Sequence, residues 1–558
     1  MKKTMRFLSM AALALVGAVT VGCSSDDNII DTPQQPANTD NVVTLTTTVG
    51  FDEGAEARGA TRALSNTGVK TFAEGDKIAV IYKNTSGETV KAVSEAISSG
   101  AGTKSATFTV TLTNPDKNAA IRYIYPAAMA KETIATDATM DDDGTVDFNN
   151  LNSQDGLLAT LGSKYDLCTW DAGSWGGDAL FNVTLTNKLA ILAITLKDSE
   201  GYLNGTITTL SLSDGTYSYA YIRDAADSGP IYMAIRPTNA AAIEVTANAS
   251  NIRCYRKSLT NKTYEASNGY NVTWRMTQLA PGALAGKFTI NGSGGKVYFS
   301  KGNLQANYDV GWNWTFSEYQ WDYVGNNSAN INIDGNGSLN VSGSVYVDLF
   351  GWVGASSDWT GVAQYGISNS TTSGYGNNAS EALKSDWGTL AIYNGSNTAN
   401  SGWRTLTTDE WQYVFNTRAS GSTVNGTSNA RYTHATINTD RTSVNGMILF
   451  PDGITVASSE ATSWGTINGN SDWGTKCTFY QWRVLAAKGC VFLPAAGGRN
   501  GYTVYDAGTY AGYWSSSPNT PNVNHAYSVR FSSNYLAPAN DDDDRYSGFS
   551  VRLVRPVE

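Results

Sequence analysis

The chain has 558 residues, of which 41% are hydrophobic and only 16% charged. That composition excludes a disordered polymer and asks for about three to four domains rather than one core. A formal net charge of −10 excludes the basic face that phosphate backbones need, so nucleic acid is not an expected partner.

Lys2, Lys3 and Arg6 precede an apolar run, Phe7–Val21, and a small residue stands before Cys23. This is the layout of an export signal, with a core too short for a membrane span. Thr20-Val21-Gly22-Cys23 resembles a relaxed bacterial lipobox, which implies that Cys23 becomes a lipidated N-terminus held in the outer membrane. Ser24-Ser25-Asp26-Asp27 resembles the acidic export tag of surface lipoproteins in some Gram-negative bacteria. Residues 24–41 are polar, proline-containing and aperiodic, which makes them a tether.

From Val43 the positions Val43, Leu45, Val49 and Phe51 alternate with threonines, the pattern of a half-buried strand. An arginine-bearing small-residue stretch follows, with Arg58 and Arg62 open to a trypsin-like protease. The segments Thr71–Tyr82, Tyr123–Ala127, Phe181–Leu196 and Ile231–Pro237 read as further strands ended by Gly, Pro or Asn. Short strands with no long helical pattern point to β-sandwiches. Over about residues 42–282 these motifs resemble the fimbrillin family, the subunits of type V pili, built as two transthyretin-like β-sandwiches. The resemblance implies a cut at Arg58 or Arg62, removal of the Val43–Phe51 strand, and strand exchange with other pilus subunits, a form of β-augmentation. A stalk subunit ends with its donor strand. This chain continues for about half its length, which favours a pilus tip.

Leu279–Gly286 marks a change of composition, and twelve of the fifteen tryptophans lie beyond it. The expected division is therefore 42–155 and 156–285 for the two sandwiches and 286–558 for a third domain. Gly295–Tyr308 reads as alternating strands with aromatic cores. Trp403–Arg418 is expected to be a helix, with Thr407 and Glu410 as a capping box and Leu406 stapled onto Trp411. A second helix is expected near Phe479–Ala487.

The last seventy or so residues alternate a frame with contact-suited loops. The frame reads CVFLPAAGGRNG from Cys490, GYWSSS from Gly512, AYSVRF from Ala526 and GFSVRLVR from Gly548. Between these pieces lie Asn500, Tyr502, Tyr505, Asp506, Tyr510, Asn519, Asn522, Asn524, His525, Asn534, Tyr535, Asn540, Asp541 and Tyr546, the predicted ligand-binding residues. Tyrosine offers a large face at low entropy cost and Asn adapts its hydrogen bonds, as in antibody-type surfaces. From Asn500 to Gly548 there is no Lys, Glu, Gln or Met, four residues that adenine substitution in AAC or AAT codons never yields.

FSKGNLQ, WRTLTTDEW, FLPAAGGR, GYWSSS and GFSVRLVR together resemble the large C-type-lectin-like fold shared by formylglycine-generating enzymes and retroelement-diversified variable proteins, over about residues 287–558. The fold class expected for the whole chain is mainly β: two transthyretin-like β-sandwich domains followed by an α+β C-type-lectin-like domain. The implied function is a cell-surface or pilus-tip adhesin for a protein or glycan. A formylglycine-generating type of enzyme and a ligand-free structural anchor are the alternatives.

No catalytic residue, cofactor or metal is expected. Cys168, Cys254, Cys477 and Cys490 remain after Cys23 is set aside. In sequence they pair naturally as Cys168 with Cys254 and Cys477 with Cys490, although spacing proves no pairing. No cysteine lies in a CxxC and only His434 and His525 exist, which argues against a zinc site; His434 reads as a satisfied structural histidine. Asp541–Asp544 offers hard oxygen ligands for calcium. However, four successive carboxylates cannot all face one ion, and Trp514-Ser515-Ser516 stands where sugar-binding C-type lectins carry Trp-Asn-Asp. A solvated acidic tip or a contact for basic residues is the expectation there.

Overall fold

The structure, a computed structural model, describes residues 41–51, 70–176, 183–224, 227–250, 253–308, 312–325, 330, 346–352, 385–522 and 524–558. The signal segment, Cys23, most of the tether, Arg58 and Arg62 lie outside the described residues. The fold is mainly β, with several sheets and a few short helices.

The first sandwich is built from β1 (Val42–Phe51), β2 (Ala79–Lys83), β3 (Thr89–Val93), β4 (Ser105–Thr113), β5 (Ile121–Tyr125), β7 (Cys168–Ala172) and β8 (Val183–Asn187), in the order β3-β2-β5-β7-β8-β1-β4; β6 (Ser153–Gln154) pairs elsewhere. β1 follows the predicted alternation: Leu45, Thr47 and Val49 are buried, while Val42, Thr44 and Thr46 are exposed. Its exposed threonines meet partners across the ladder, Thr44 with Thr111 at 3.2 Å and Thr46 with Thr109 at 3.4 Å, a pairing that favours this register. β1 lies antiparallel to β4 over nine residue pairs and parallel to β8 over three. One end of β8 pairs with β1 and the other with β7. The sheet thereby closes around one core that holds Val49, Phe108, Val80, Tyr82, Tyr123 and Tyr125.

Strand pairing interleaves on the two sides of residue 155. β7 and β8 belong to the first sheet, whereas β6 pairs with Ser218–Ile222 in the second sandwich. Ladder hydrogen bonds decide membership here, and local composition carries no mark of them. A six-stranded sheet and a three-stranded one, order Ile231–Ile235, Ala190–Lys197, Gly269–Arg275, share a second core. Ala190–Lys197 is apolar at nearly every position because it is the central strand, covered on both faces.

Beyond Gly286 the chain forms smaller sheets. Lys296–Phe299 pairs with the last strand, Leu553–Pro556, which also pairs with Arg404–Thr405. That pairing corrects the expected Trp403–Arg418 helix. The helix starts at Thr408, after the Thr407–Glu410 capping box, and continues through Thr417 with wider turns, because the preceding residues are held in a ladder. The Phe479–Ala487 helix is as expected, capped by Thr478 and Gln481. It lies against the second sandwich, where Val484 and Ala487 pack on Ala220 and Ile222. Thr246 Oγ1 donates to the Ala487 carbonyl at 3.0 Å.

The four cysteines described are free, so neither sequence pair is bridged. Cys168 and Cys254 stand in different sheets. Cys477 ends one edge strand of a four-stranded sheet and Cys490 precedes the other, with two strands between. A disulfide needs Cα atoms within about 7 Å.

Candidate functional site

Three antiparallel strands, Tyr510–Pro518, His525–Ser532 and Tyr535–Asp544, together with the turns that join them, carry nine of the fourteen predicted contact residues. The sequence reading placed Tyr535 and Asn540–Asp544 in a loop; they form the edge strand of this sheet. Ala511, Tyr513, Val529 and Phe531 point into a core shared with Trp411 and Phe415. The residues that alternate with them along each strand face the other way. On that second face, Tyr510, Ser532 and Tyr535 make one row and Gly512, Arg530 and Ala537 the next.

This second face is covered only in part. Phe549 lies over Gly512, so closely that a Cβ on Gly512 would sit 2.4 Å from the ring. Glycine is therefore required by close approach. Trp514 packs tilted against Phe549, ring centres 4.7 Å apart, and donates its Nε1–H to the Phe350 carbonyl at 2.6 Å. Toward the edge strand the cover ends. Tyr505 and Tyr510 are half-buried with rings 5.9 Å apart, and burial raises both phenol pKa values. Tyr535 is 45% exposed, and Tyr502, in the turn between Gly498–Asn500 and Thr503–Tyr505, is 57% exposed. Asn500, Asp506 and Asn534 are exposed as well. Asp506 adopts a left-handed backbone, φ 53°, and its carbonyl accepts from the Thr509 and Tyr510 amides at 3.0 Å each, which fixes how Tyr510 enters its strand.

Arg530, which the sequence reading left in the frame, sits on this face. Its guanidinium lies 6.0 Å from the Phe549 ring centre, contacts Asp542 at 3.4 Å and pairs with Asp543. The signal was present in the sequence: Arg530 falls between the inward Val529 and Phe531, so period two turns it outward.

The remaining predicted residues gather at the other end of the same strands, roughly 25 Å away at the rise of a β-strand. Asn522 Nδ2 lies 3.1 Å from His525 Nδ1, His525 Nε2 lies 3.4 Å from Asp544, and Tyr546 donates to Asp544 at 2.6 Å. That hydrogen bond, with burial, pushes the Tyr546 phenol up to about 12. Asn524 and Asp541 are exposed and Asn540 half-buried. Asn519 is 6% exposed and donates to the Asp541 carbonyl at 2.5 Å, so its side chain braces the loop from inside rather than reaching a ligand. Nor is the acidic run a uniform solvated tip. Asp543 is 1% exposed and accepts from Ser528, Arg530 and Asn540.

His434 is buried, ringed by Tyr432, Trp473 and Phe531, and burial lowers its pKa. Among the described residues, no three or more His, Cys, Asp or Glu side chains converge as metal ligands would. Likewise, no helix among them is long and apolar enough to cross a membrane. A cleft of ≈ 680 Å³ lined by Asp214, Glu244, Arg256, Lys287 and Asp452 contains none of the predicted contact residues. Its charges are engaged with one another, Arg256 with Glu244 at 2.5 Å and Lys287 with Glu244 at 4.0 Å.

No protein-family model matches the chain, and no curated protein matches it. Among solved structures it is similar to a candidate cell adhesion protein from Bacteroides fragilis NCTC 9343, at 13% identity and a TM-score of 0.25, over 42% of this chain and 97% of that one. It is also similar to a candidate cell adhesion protein from Bacteroides uniformis ATCC 8492, at 15% identity and a TM-score of 0.25, over 44% and 98%. A third is the minor pilin of Streptococcus agalactiae, at 12% identity and a TM-score of 0.16, over 42% and 96%.

Proposed function

We propose that this protein is a cell-surface or pilus-tip adhesin. Lipid on Cys23 holds it in the outer membrane, a fimbrillin-like base carries it, and its C-terminal sheet binds a protein or glycan. The observation that carries this reading is the row Tyr510, Ser532, Tyr535 with Arg530 beside it. It presents phenols and a guanidinium outward from strands whose other face is locked into the core. Tyrosine and arginine on a rigid support dominate binding hot spots. The region beyond Gly286 also suits the C-type-lectin-like fold, since an early strand, Lys296–Phe299, pairs with the last, Leu553–Pro556.

The base suits strand exchange. β1 lies between β4 and β8, and a cut at Arg58 or Arg62 would free it. The unpaired edges of β4 and β8 would then accept a strand from another subunit. An enzymatic role is less well supported. Cys477 and Cys490 are fully buried, and burial pushes the Cys477 thiol up to about 12 and Cys490 well above its ordinary value. A catalytic thiol instead needs exposure and a lowered pKa.

Glycan and surface-protein arrays probed with the full chain and with the Tyr502→Ala/Tyr535→Ala double variant test the reading. Signals present in the parent and lost in the variant, at an unchanged Tm, are expected. Equal signals from both would refute the site.

A further inference from the structure

In the first sandwich a lysine, an aspartate and an asparagine meet inside the core. Lys70 and Asp166 have side chains only 6% and 3% exposed, and Lys70 Nζ lies 2.7 Å from Asp166 Oδ2. The ammonium also contacts the Asp166 carbonyl at 3.3 Å and Cys168 Sγ at 3.2 Å. Aromatic rings close the site: Phe51 and Tyr125 lie 4.5 Å and 4.8 Å from Nζ, and Phe72 stacks on Phe51 at 4.3 Å. Asn187 Nδ2 donates to the other carboxylate oxygen, Asp166 Oδ1, while Asn187 Oδ1 accepts from the Leu189 amide at 2.7 Å, which fixes the amide's orientation. Burial pulls the Lys70 pKa down, but Asp166 and Cys168 beside it hold it above its ordinary value.

We propose that Lys70 and Asp166 form an intramolecular isopeptide bond, with Asn187 donating to the carbonyl oxygen on which charge develops. The arrangement supplies what amide formation needs: reacting groups held in contact, a fixed donor at the oxyanion position, and little water. The proton on Nζ passes along the 2.7 Å hydrogen bond to Oδ2, leaving a neutral amine and a carboxylic acid. The nitrogen lone pair attacks Asp166 Cγ, the N–C bond forms, and negative charge gathers on Oδ1 opposite Asn187 Nδ2–H. The Cγ–Oδ2 bond then breaks, and with one further proton from the nitrogen a water molecule leaves. Ammonium and carboxylate become amide and water, with nothing oxidised or reduced and no co-reactant.

Such a bond would tie the chain entering the domain at Lys70 to the residue just before β7. Because β1 takes no covalent part in it, the sandwich would keep that tie when β1 is withdrawn.

Tryptic mapping of the purified full chain tests the proposal. Lys70 and Asp166 fall in separate peptides, one ending at Lys77 and one running from Tyr165 to Lys188. The expected product is a single branched species of these two peptides, uncut after Lys70 and lighter than their sum by one water. Lys70→Arg and Asp166→Asn should each yield the Tyr165–Lys188 peptide unjoined, with the other peptide cut after residue 70, and Asn187→Ala should leave a mixture of joined and unjoined forms. A parent chain giving only free peptides of full mass overturns the proposal. So does a branched species lighter by one ammonia, which would make Asn187 the acyl partner. A branched species heavier than the peptides and released by reductant would place the link on Cys168 and overturn it equally. All three outcomes are read from the parent chain, so none depends on a variant folding.

Discussion

The ring of Tyr510 lies 5.9 Å from that of Tyr505 and 6.4 Å from that of Phe549, whereas Tyr535, in the same sheet row, is largely free of such cover. Two tyrosines of the same row therefore have different tasks. Tyr510→Ala is expected to cost about 2–4 kcal/mol of stability, since it removes a half-buried ring and its aromatic contacts. Tyr535→Ala is expected to cost under about 0.5 kcal/mol and to act on binding alone. Urea midpoints for the two variants, measured beside ligand capture, separate the roles.

Asp543 anchors Arg530 from below, with Ser528 and Asn540 as further donors. Asp543→Ala is expected to destabilise by about 2–3 kcal/mol, because Arg530 and Ser528 lose their buried acceptor. The exposed Asp541→Ala should stay within about 0.5 kcal/mol. A chemical-denaturation series on the two variants checks the contrast, and equal losses would mean that the acidic run acts as one solvated unit after all.

Asp348 is fully buried, accepting from the Val324 amide at 2.7 Å and from Asn330 Nδ2 at 2.9 Å. Burial raises its pKa to about 6 against hydrogen bonds that lower it. A carboxyl raised on folding favours the folded state in its neutral form. Its contribution is fully present below the unfolded pKa, near 4, and is lost as pH rises through about 6. The parent chain is expected to lose about 3 kcal/mol over that window from this group. In Asp348→Asn that share of the pH dependence should vanish. Stability measured from pH 4 to pH 7 for both proteins, taken as a difference, isolates the effect.

The four described cysteines are free and three of them fully buried. Thiol titration without reductant, on protein whose Cys23 is lipidated or removed, is expected to find almost none in the native state and four once it is denatured. Finding only two after denaturation would reinstate one of the bridges suggested by the sequence.

Several features were legible in local chemistry. The alternation of Leu45, Thr47 and Val49 fixed which face of β1 is buried. The Thr407–Glu410 capping box marked a helix there, although its start falls at Thr408 and not at Trp403. Mean polarity and tyrosine content singled out the C-terminal stretch, but not which of its side chains turn outward. Asn519 and Asp543 look like their exposed neighbours in sequence and point inward because a carbonyl and a guanidinium wait for them there.

What the sequence by itself determined is therefore whatever depends on neighbours a few residues apart: strand period, helix caps, turn chemistry and the mainly β character. Only the tertiary structure decided matters set by residues far away in the chain. Trp403–Leu406 became extended because Leu553 and Val554 offer ladder partners. β7 and β8 joined the first sheet through their hydrogen bonds to β5 and β1. The predicted contact residues fell into two groups at opposite ends of one sheet, since antiparallel register sets Tyr510 beside Tyr535 and His525 beside Asp544. Lys70 met Asp166 and Asn187 across 96 and more residues of chain because sheet closure brings together groups that no local pattern connects.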